Sequence, residues 1–123
     1  MPTVVAIVGA SADRRKFGNK ALRAFRDRGD TVIPIHPRLP EVEGLTAYRS
    51  VLDVPGTIDM ASVYVPPEIG IGLLAEFEQK GIREIWINPG AESDALIAEA
   101  RRRRLNVIEA CSIVGIGLSP STY

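Results

Sequence analysis

The chain carries one cysteine, one histidine and one tryptophan in 123 residues, and its 15 basic side chains are matched by 15 acidic ones. A lone cysteine, Cys111, forms no internal disulfide, which points to a reducing compartment. A single histidine, His36, excludes any two-histidine metal site, and a Ser-His-Asp triad would have to use this one ring. Neither a metal nor catalysis by His36 is expected. Zero net charge argues against a nucleic-acid or membrane-surface binder, since both need a basic excess. No apolar run reaches transmembrane length. The N-terminal apolar run is short and has no basic region before it, unlike a signal peptide. A soluble cytoplasmic protein is the expectation.

Also missing is the dinucleotide fingerprint G-x-G-x-x-G. Two positions after Gly9 stands Ser11, and the next glycine is Gly18. What is present suits one domain over 1–123: apolar residues make up 46% and charged residues 24%, a normal globular balance.

Apolar β-branched runs alternate with helical patterns. Strands are expected at Val4–Val8, Thr31–Ile35, Leu45–Tyr48, Met60–Val65, Glu84–Ile87 and Asn106–Glu109. Helices are expected at Gly18–Arg28, at Pro67–Lys80 with Gly81 as its stop, and at Asp94–Arg104 with Ser93 as N-cap. Ser50–Asp53 suits a single helical turn. Pro34 interrupts the second strand and marks a bulge or a free edge. Residues 110–123 read as an apolar stretch and then a Ser/Pro tail. Such alternation implies right-handed crossovers: an α/β, Rossmann-like, doubly wound and mostly parallel sheet with helices on both faces, in three layers. Ligands of such sheets sit beyond the carboxyl ends of the strands, where the strand order reverses.

Those ends hold the candidate residues. Gly9-Ala10-Ser11 feeds a polar, basic stretch through Arg14, Arg15 and Lys16 and then a helix beginning near Phe17-Gly18-Asn19. Backbone N–H groups and a helix dipole at such a loop suit a pyrophosphate; the alternative is a plain strand-to-helix connection with a solvated basic run. His36-Pro37-Arg38 ends the second strand with no acid. An acid there would hold the ribose hydroxyls of NAD, whereas a cation suits a phosphorylated ribose, unless Arg38 is only a solvated loop residue. Val65-Pro66-Pro67 makes a rigid apolar ledge, and proline also starts helices. Asn88-Pro89-Gly90 lines a far wall or is simply a tight turn. Cys111 lies past the last strand, as a rim thiol or a small buried hydrophobe. Arg101–Arg104 fans around its helix and takes no ligand.

Taken in order, these segments resemble the CoA-binding domain family. The matching stretches are Val5-Ala6-Ile7-Val8-Gly9-Ala10-Ser11, Val32-Ile33-Pro34-Ile35-His36-Pro37-Arg38, Asp53-Val54-Pro55 before Ile58-Asp59-Met60, Tyr64-Val65-Pro66, and Cys111. The small stand-alone bacterial members are the most similar, and the N-terminal domain of the succinyl-CoA synthetase α subunit is a more distant relative. The resemblance implies a domain holding coenzyme A across the strand ends. Gly9, Ala10 and Ser11 would meet the phosphates, and the loop through Lys16 to Phe17, Gly18 and Asn19 would close over them. Arg38, next to Pro37 of the expected binding set, would face the adenosine phosphate side, and Val65-Pro66 the adenine or pantetheine. Asn88, Gly90 and Cys111 complete the expected binding set. The synthetases work through a phosphohistidine on a second domain; these 123 residues are expected to form one domain, so ligase activity is not expected to carry over. The chain also has Ala110-Cys111 where those relatives carry Asn-Cys, and Ser112-Ile113-Val114-Gly115 where the small proteins follow Cys with two hydrophobics and a Glu. The expectation is a CoA or acyl-CoA binding protein without independent catalysis, as a homodimer or beside a partner ligase subunit. The alternatives are a minimal NADP-dependent reductase and a non-binding interaction subunit of an acyl-CoA ligase-type assembly.

Overall fold

The computed structural model describes residues 3–123. Strand β1, Val4–Val8, is apolar throughout because both of its faces are covered: Val5, Ala6 and Ile7 have no exposed surface. A strand that shows no polar alternation belongs in the middle of a parallel sheet. β1 lies between β2, Thr31–Ile35, and the later strand Met60–Val63, in register Val5↔Val32 and Val5↔Met60.

Helix α1, Phe17–Asp27, starts one residue before the expected bound and ends one before it. Its buried Ala21, Leu22 and Phe25 pack over Val5 and Ile7. β2 is the edge strand, which accounts for Pro34. The Pro34 carbonyl accepts from the Tyr48 N–H at 3.0 Å on the outer side. Its ring nitrogen points the same way, so no ladder donor is lost.

The expected strand at Leu45–Tyr48 is instead half of a small antiparallel hairpin. β3, Glu41–Val42, pairs with β4, Leu45–Thr46. The turn between them is Glu43-Gly44, both with positive φ, as two-residue hairpins require. Tyr48 makes a separate parallel bridge to Ile35. Ser50 caps a 3-10 turn at Val51–Asp53.

β5, Met60–Val63, ends two residues before the expected bound. α2, Pro67–Lys80, and β6, Glu84–Ile87, fall where expected. α3 is Asp94–Arg102, capped by Ser93 Oγ, which accepts from the Leu96 N–H at 3.1 Å. β7 is Val107–Glu109. The C-terminal stretch adds an unexpected short helix, α4, Ser112–Gly115, and a 3-10 turn at Pro120–Thr122.

The parallel sheet has the order β2-β1-β5-β6-β7. On one face α1, α4 and the hairpin cover Val5, Ile7, Val32 and Met60. On the other, α2 and α3 cover Ala6, Val8, Val63 and Ile85 through Leu74, Phe77, Leu96 and Ala100. This is the doubly wound, three-layer Rossmann-like α/β fold. Among the described residues, no helix is long and apolar enough to cross a membrane.

Candidate functional site

The chain leaves β1 toward β2 on one side and reaches β5 on the other, so the strand order reverses between β1 and β5. A crevice opens there, above the carboxyl ends of both strands. It is an open cleft of about 580 Å³. Of the residues expected to bind, Gly9, Ala10, Ser11, Lys16, Phe17 and Gly18 line one wall, and Pro37, Val65, Pro66 and Gly90 the others. His36, Tyr64, Pro89 and Ala91 also line it.

Two glycines set the shape of the loop over this cleft. Gly9 has φ +92, and a Cβ there would sit 3.0 Å from Val65 Cγ1 and 3.1 Å from the Tyr64 carbonyl carbon. The turn out of β1 therefore rests directly on the end of β5. A Cβ on Gly18 would sit 2.3 Å from the Gly9 carbonyl oxygen. The first turn of α1 touches the turn out of β1, and only a hydrogen fits between them.

The backbone donors are not those the sequence suggests. The Gly9 and Ala10 N–H groups both donate to the Ile35 carbonyl, each at 3.2 Å. They tie the loop to β2 and are not free for a phosphate. Among the described residues, the N–H groups of Ser11, Phe17 and Gly18 have no protein acceptor. Phe17 and Gly18 open α1, where the first amides lack intrahelical partners and the dipole is positive. Ser11 Oγ accepts the Asp13 N–H at 3.0 Å, which leaves its own hydrogen available.

Asn19 does not face the cleft. It is fully buried, and its Nδ2 donates to the Ser11 carbonyl at 2.8 Å and to Glu43 Oε2 at 3.1 Å. Its Oδ1 accepts from Arg23 Nε at 2.7 Å. Asn19 holds the loop and the β3–β4 hairpin onto α1 in place of contacting a ligand with its side chain. Around it Arg14 pairs loosely with Glu43, and Arg15 holds the Asp13 carboxyl below the usual carboxylate range through a hydrogen-bonded ion pair. Lys16, Arg38 and Arg49 form no ion pair among the described residues.

Arg38 is exposed and stands outside the cleft lining. Its N–H donates to His36 Nδ1 at 3.0 Å, and the Leu39 N–H donates to the same atom at 2.9 Å. A ring nitrogen that accepts carries no hydrogen, so the imidazole proton sits on Nε2. His36 thus presents a donor.

Two smaller chambers adjoin the cleft. One, of about 60 Å³, holds Asn88 and Cys111 and shares Phe17, Tyr64 and Pro89 with it. Asn88 is buried, and its polar atoms are tied inward: Nδ2 to Ser62 Oγ and the Val63 carbonyl, both at 2.9 Å, and Oδ1 to the Ser112 N–H at 2.9 Å. Ser112 Oγ bonds Ser62 Oγ at 2.7 Å and the Tyr64 hydroxyl at 3.0 Å. Burial pushes the Tyr64 phenol up, and the Ser112 hydrogen bond works against that shift. Cys111, half-buried, is the N-cap of α4. The other chamber, of about 190 Å³, is largely apolar and shares Gly9, Pro37 and Val65 with the cleft. It runs down between the ends of β1 and β2 and the side of α2, past Val8, Ile35, Ile69 and Phe77. Nothing in the sequence pointed to a site at Arg49, Ser50, Ile69 or Glu76, because these residues come from the segment at the 3-10 turn and from α2 and not from a strand end.

The family model for a CoA binding domain matches residues 3–116. The chain belongs to the CoA-binding domain family. It is 34% identical over 87 residues to the α subunit of an ADP-forming acetate–CoA ligase II from Pyrococcus furiosus, covering 70% of this chain and 19% of that protein. The chain thus spans about a fifth of the length of that relative. Among solved structures, a conserved hypothetical protein from Pyrococcus furiosus superposes with a TM-score of 0.83 at 30% identity, over 94% of this chain and 99% of the other. An acetyl-coenzyme A synthetase from Ca. Korarchaeum cryptofilum in its apo form superposes at 0.76 and 28% identity, over 89% of this chain and 26% of that one.

Proposed function

We propose that this CoA-binding domain holds coenzyme A, free or acylated, as a ligand and performs no chemistry of its own. The observation that carries this reading is the run of three adjoining chambers at the strand-order reversal. An apolar pocket suits the adenine ring. The open cleft under the Ser11, Phe17 and Gly18 N–H groups, with Lys16 at its rim, suits the pyrophosphate. The narrow chamber beside Cys111 suits the thiol end of the pantetheine arm. Gly9, Ala10, Pro37, Val65, Pro66 and Gly90 give the walls, and Asn19 and Asn88 hold them in place. Binding without catalysis is supported by His36, whose ring has one nitrogen occupied by two backbone donors and the other protonated, and so offers no base. A place beside a ligase subunit is the second reading, favoured by the similarity to the α subunit of an ADP-forming acetate–CoA ligase.

Coenzyme A is expected to raise the Tm of the purified protein, and NAD is not. At a hundredfold excess over Kd the gain is about 2.7 kcal/mol, a shift on the order of 10 °C for a domain of this size. Native mass spectrometry of gently purified protein should retain a CoA-sized mass. A larger shift with NAD than with CoA would overturn the proposal.

The 3′-phosphate is the feature that separates coenzyme A from other adenine nucleotides. We expect Arg38 to meet it: its guanidinium forms no ion pair among the described residues and follows Pro37, which lines both the cleft and the apolar chamber. Wild type should then bind CoA roughly tenfold or more tightly than dephospho-CoA, and Arg38→Ala should bring the two ligands level. Calorimetry on two proteins and two ligands isolates the pairing. If Arg49→Ala levels them instead, the pairing belongs to Arg49.

A further inference from the structure

Of the side chains that line the apolar chamber only Arg49, Ser50 and Glu76 are polar, and Ser50 and Glu76, paired with each other, have only acceptor capacity left. Ser50 Oγ donates its single hydrogen to Glu76 Oε1. The same oxygen accepts the Leu52 N–H at 3.1 Å. A hydroxyl has one hydrogen and two lone pairs, so Ser50 has one lone pair left. Glu76 Oε2 has no protein donor among the described residues, and a carboxylate offers lone pairs alone. Both side chains line the chamber, whose remaining inner wall is aliphatic and aromatic. The one donor side chain on the lining, Arg49, is exposed and free to turn to water.

A pocket of this kind discriminates by what it leaves unpaired. A ligand edge with an N–H finds an acceptor. A ligand edge with a carbonyl sets acceptor against acceptor, which is the costly arrangement. We propose that the Ser50–Glu76 pair reads the exocyclic amino group of the base and selects adenine over 6-keto purines. This rests on the coenzyme A reading, because it takes that ligand's base as the occupant of the chamber. The two side chains come from different elements, the 3-10 turn after β4 and the third turn of α2. Their mutual hydrogen bond fixes both acceptors before any ligand arrives, so the selection needs no rearrangement.

The test is calorimetry with coenzyme A and with its hypoxanthine analogue, in which a carbonyl replaces the amino group. Wild type should bind coenzyme A about 10–100-fold more tightly than the analogue. Glu76→Gln keeps the shape and can turn an amide N–H toward a carbonyl, so its ratio should fall to within about threefold of unity. A ratio is used because it cancels any general weakening of the fold. Ser50→Thr keeps the hydroxyl and should keep the wild-type ratio. Equal wild-type affinity for both ligands would overturn base reading while leaving coenzyme A binding intact. A Glu76→Gln protein that loses affinity for both in the same proportion would reduce Glu76 to a structural tie, and the inference would fall there too. Failure of wild type to bind either ligand would overturn the coenzyme A reading itself.

Discussion

Gly18→Ala is expected to destabilise the protein by roughly 3 kcal/mol or more, within reach of unfolding it, since small domains hold only about 5–15 kcal/mol in total. The added Cβ would stand 2.3 Å from the Gly9 carbonyl oxygen. That neighbour is backbone, and it cannot swing aside. Gly9 is fixed by its N–H bond to Ile35 at 3.2 Å and by contact with Val65 beneath it. The strain must therefore be relieved by α1, whose Ala21, Leu22 and Phe25 have no exposed surface against the sheet. Lifting a helix with such a face opens voids along it, and each lost contact adds to the cost. Two other glycines calibrate the number. A Cβ on Gly115 would meet the Trp86 ring at 2.6 Å, a side chain that can tilt, so Gly115→Ala should cost less. Gly72 lies in α2 with nothing within 4 Å of its Cβ position, so Gly72→Ala should stabilise by about 0.5–1 kcal/mol. Urea unfolding of the three variants checks the order. A Gly18→Ala protein within about 1 kcal/mol of wild type would show that α1 does not need this approach.

The same glycine shows how the sequence hid a familiar device. In the dinucleotide fingerprint a third glycine allows close helix–strand packing five positions after the first. Here the intervening loop is longer and Gly18 stands nine after Gly9, so the spaced pattern is broken while the contact it encodes is kept. The five parallel strands were legible because each is a mostly apolar, β-branched run between turn residues, and the helices because their apolar periods and stop signals agreed. Two-residue strands have no period to show, which is why β3 and β4 were not separated from the Leu45–Tyr48 run. Their turn, Glu43-Gly44, also lacks the Asn or Asp that usually announces such a hairpin. α4 is four residues long, too short to declare a face.

At the candidate site, residues that contribute walls were easier to place than residues that contribute hydrogen bonds. Small and cyclic residues at strand ends, such as Gly9, Pro37 and Pro66, line the cleft because topology alone carries strand ends there. A polar side chain in the same loops has two uses, toward a ligand or toward the backbone beside it, and residue type does not separate them. Asn19 and Asn88 both turned inward. The amides behaved likewise: Gly9 and Ala10 point to Ile35, a partner 25 or more positions away that no local pattern announces. Glu76 had no signal, because it sits on a helix otherwise described by its apolar spacing.

Asn88→Leu is expected to cost roughly 2–4 kcal/mol and to loosen the far end of the cleft. Asn88 is 1% exposed and uses both ends of its amide. Leucine fills a similar volume, so the loss is mainly of hydrogen bonds rather than of packing. It leaves the Ser112 N–H with no acceptor at the start of α4 and takes a donor from Ser62 Oγ and from the Val63 carbonyl. Ser62 and Ser112 are themselves buried, so water does not easily replace the amide. Asn88→Asp tests the polarity of the arrangement. It keeps an acceptor for the Ser112 N–H but turns oxygen toward the Val63 carbonyl, and as a buried carboxylate without a cation it should be no better tolerated than leucine. Ile113, fully buried against α1, and Cys111 are both held by this knot, since α4 begins at Ser112. Two readouts follow. Unfolding should show the loss of stability for both variants. Alkylation of Cys111 by iodoacetamide in the native state should become faster, because the half-buried thiol gains access as α4 frays. A stable Asn88→Leu protein with unchanged alkylation would mean that the Ser62–Tyr64–Ser112 hydroxyls hold α4 without the amide.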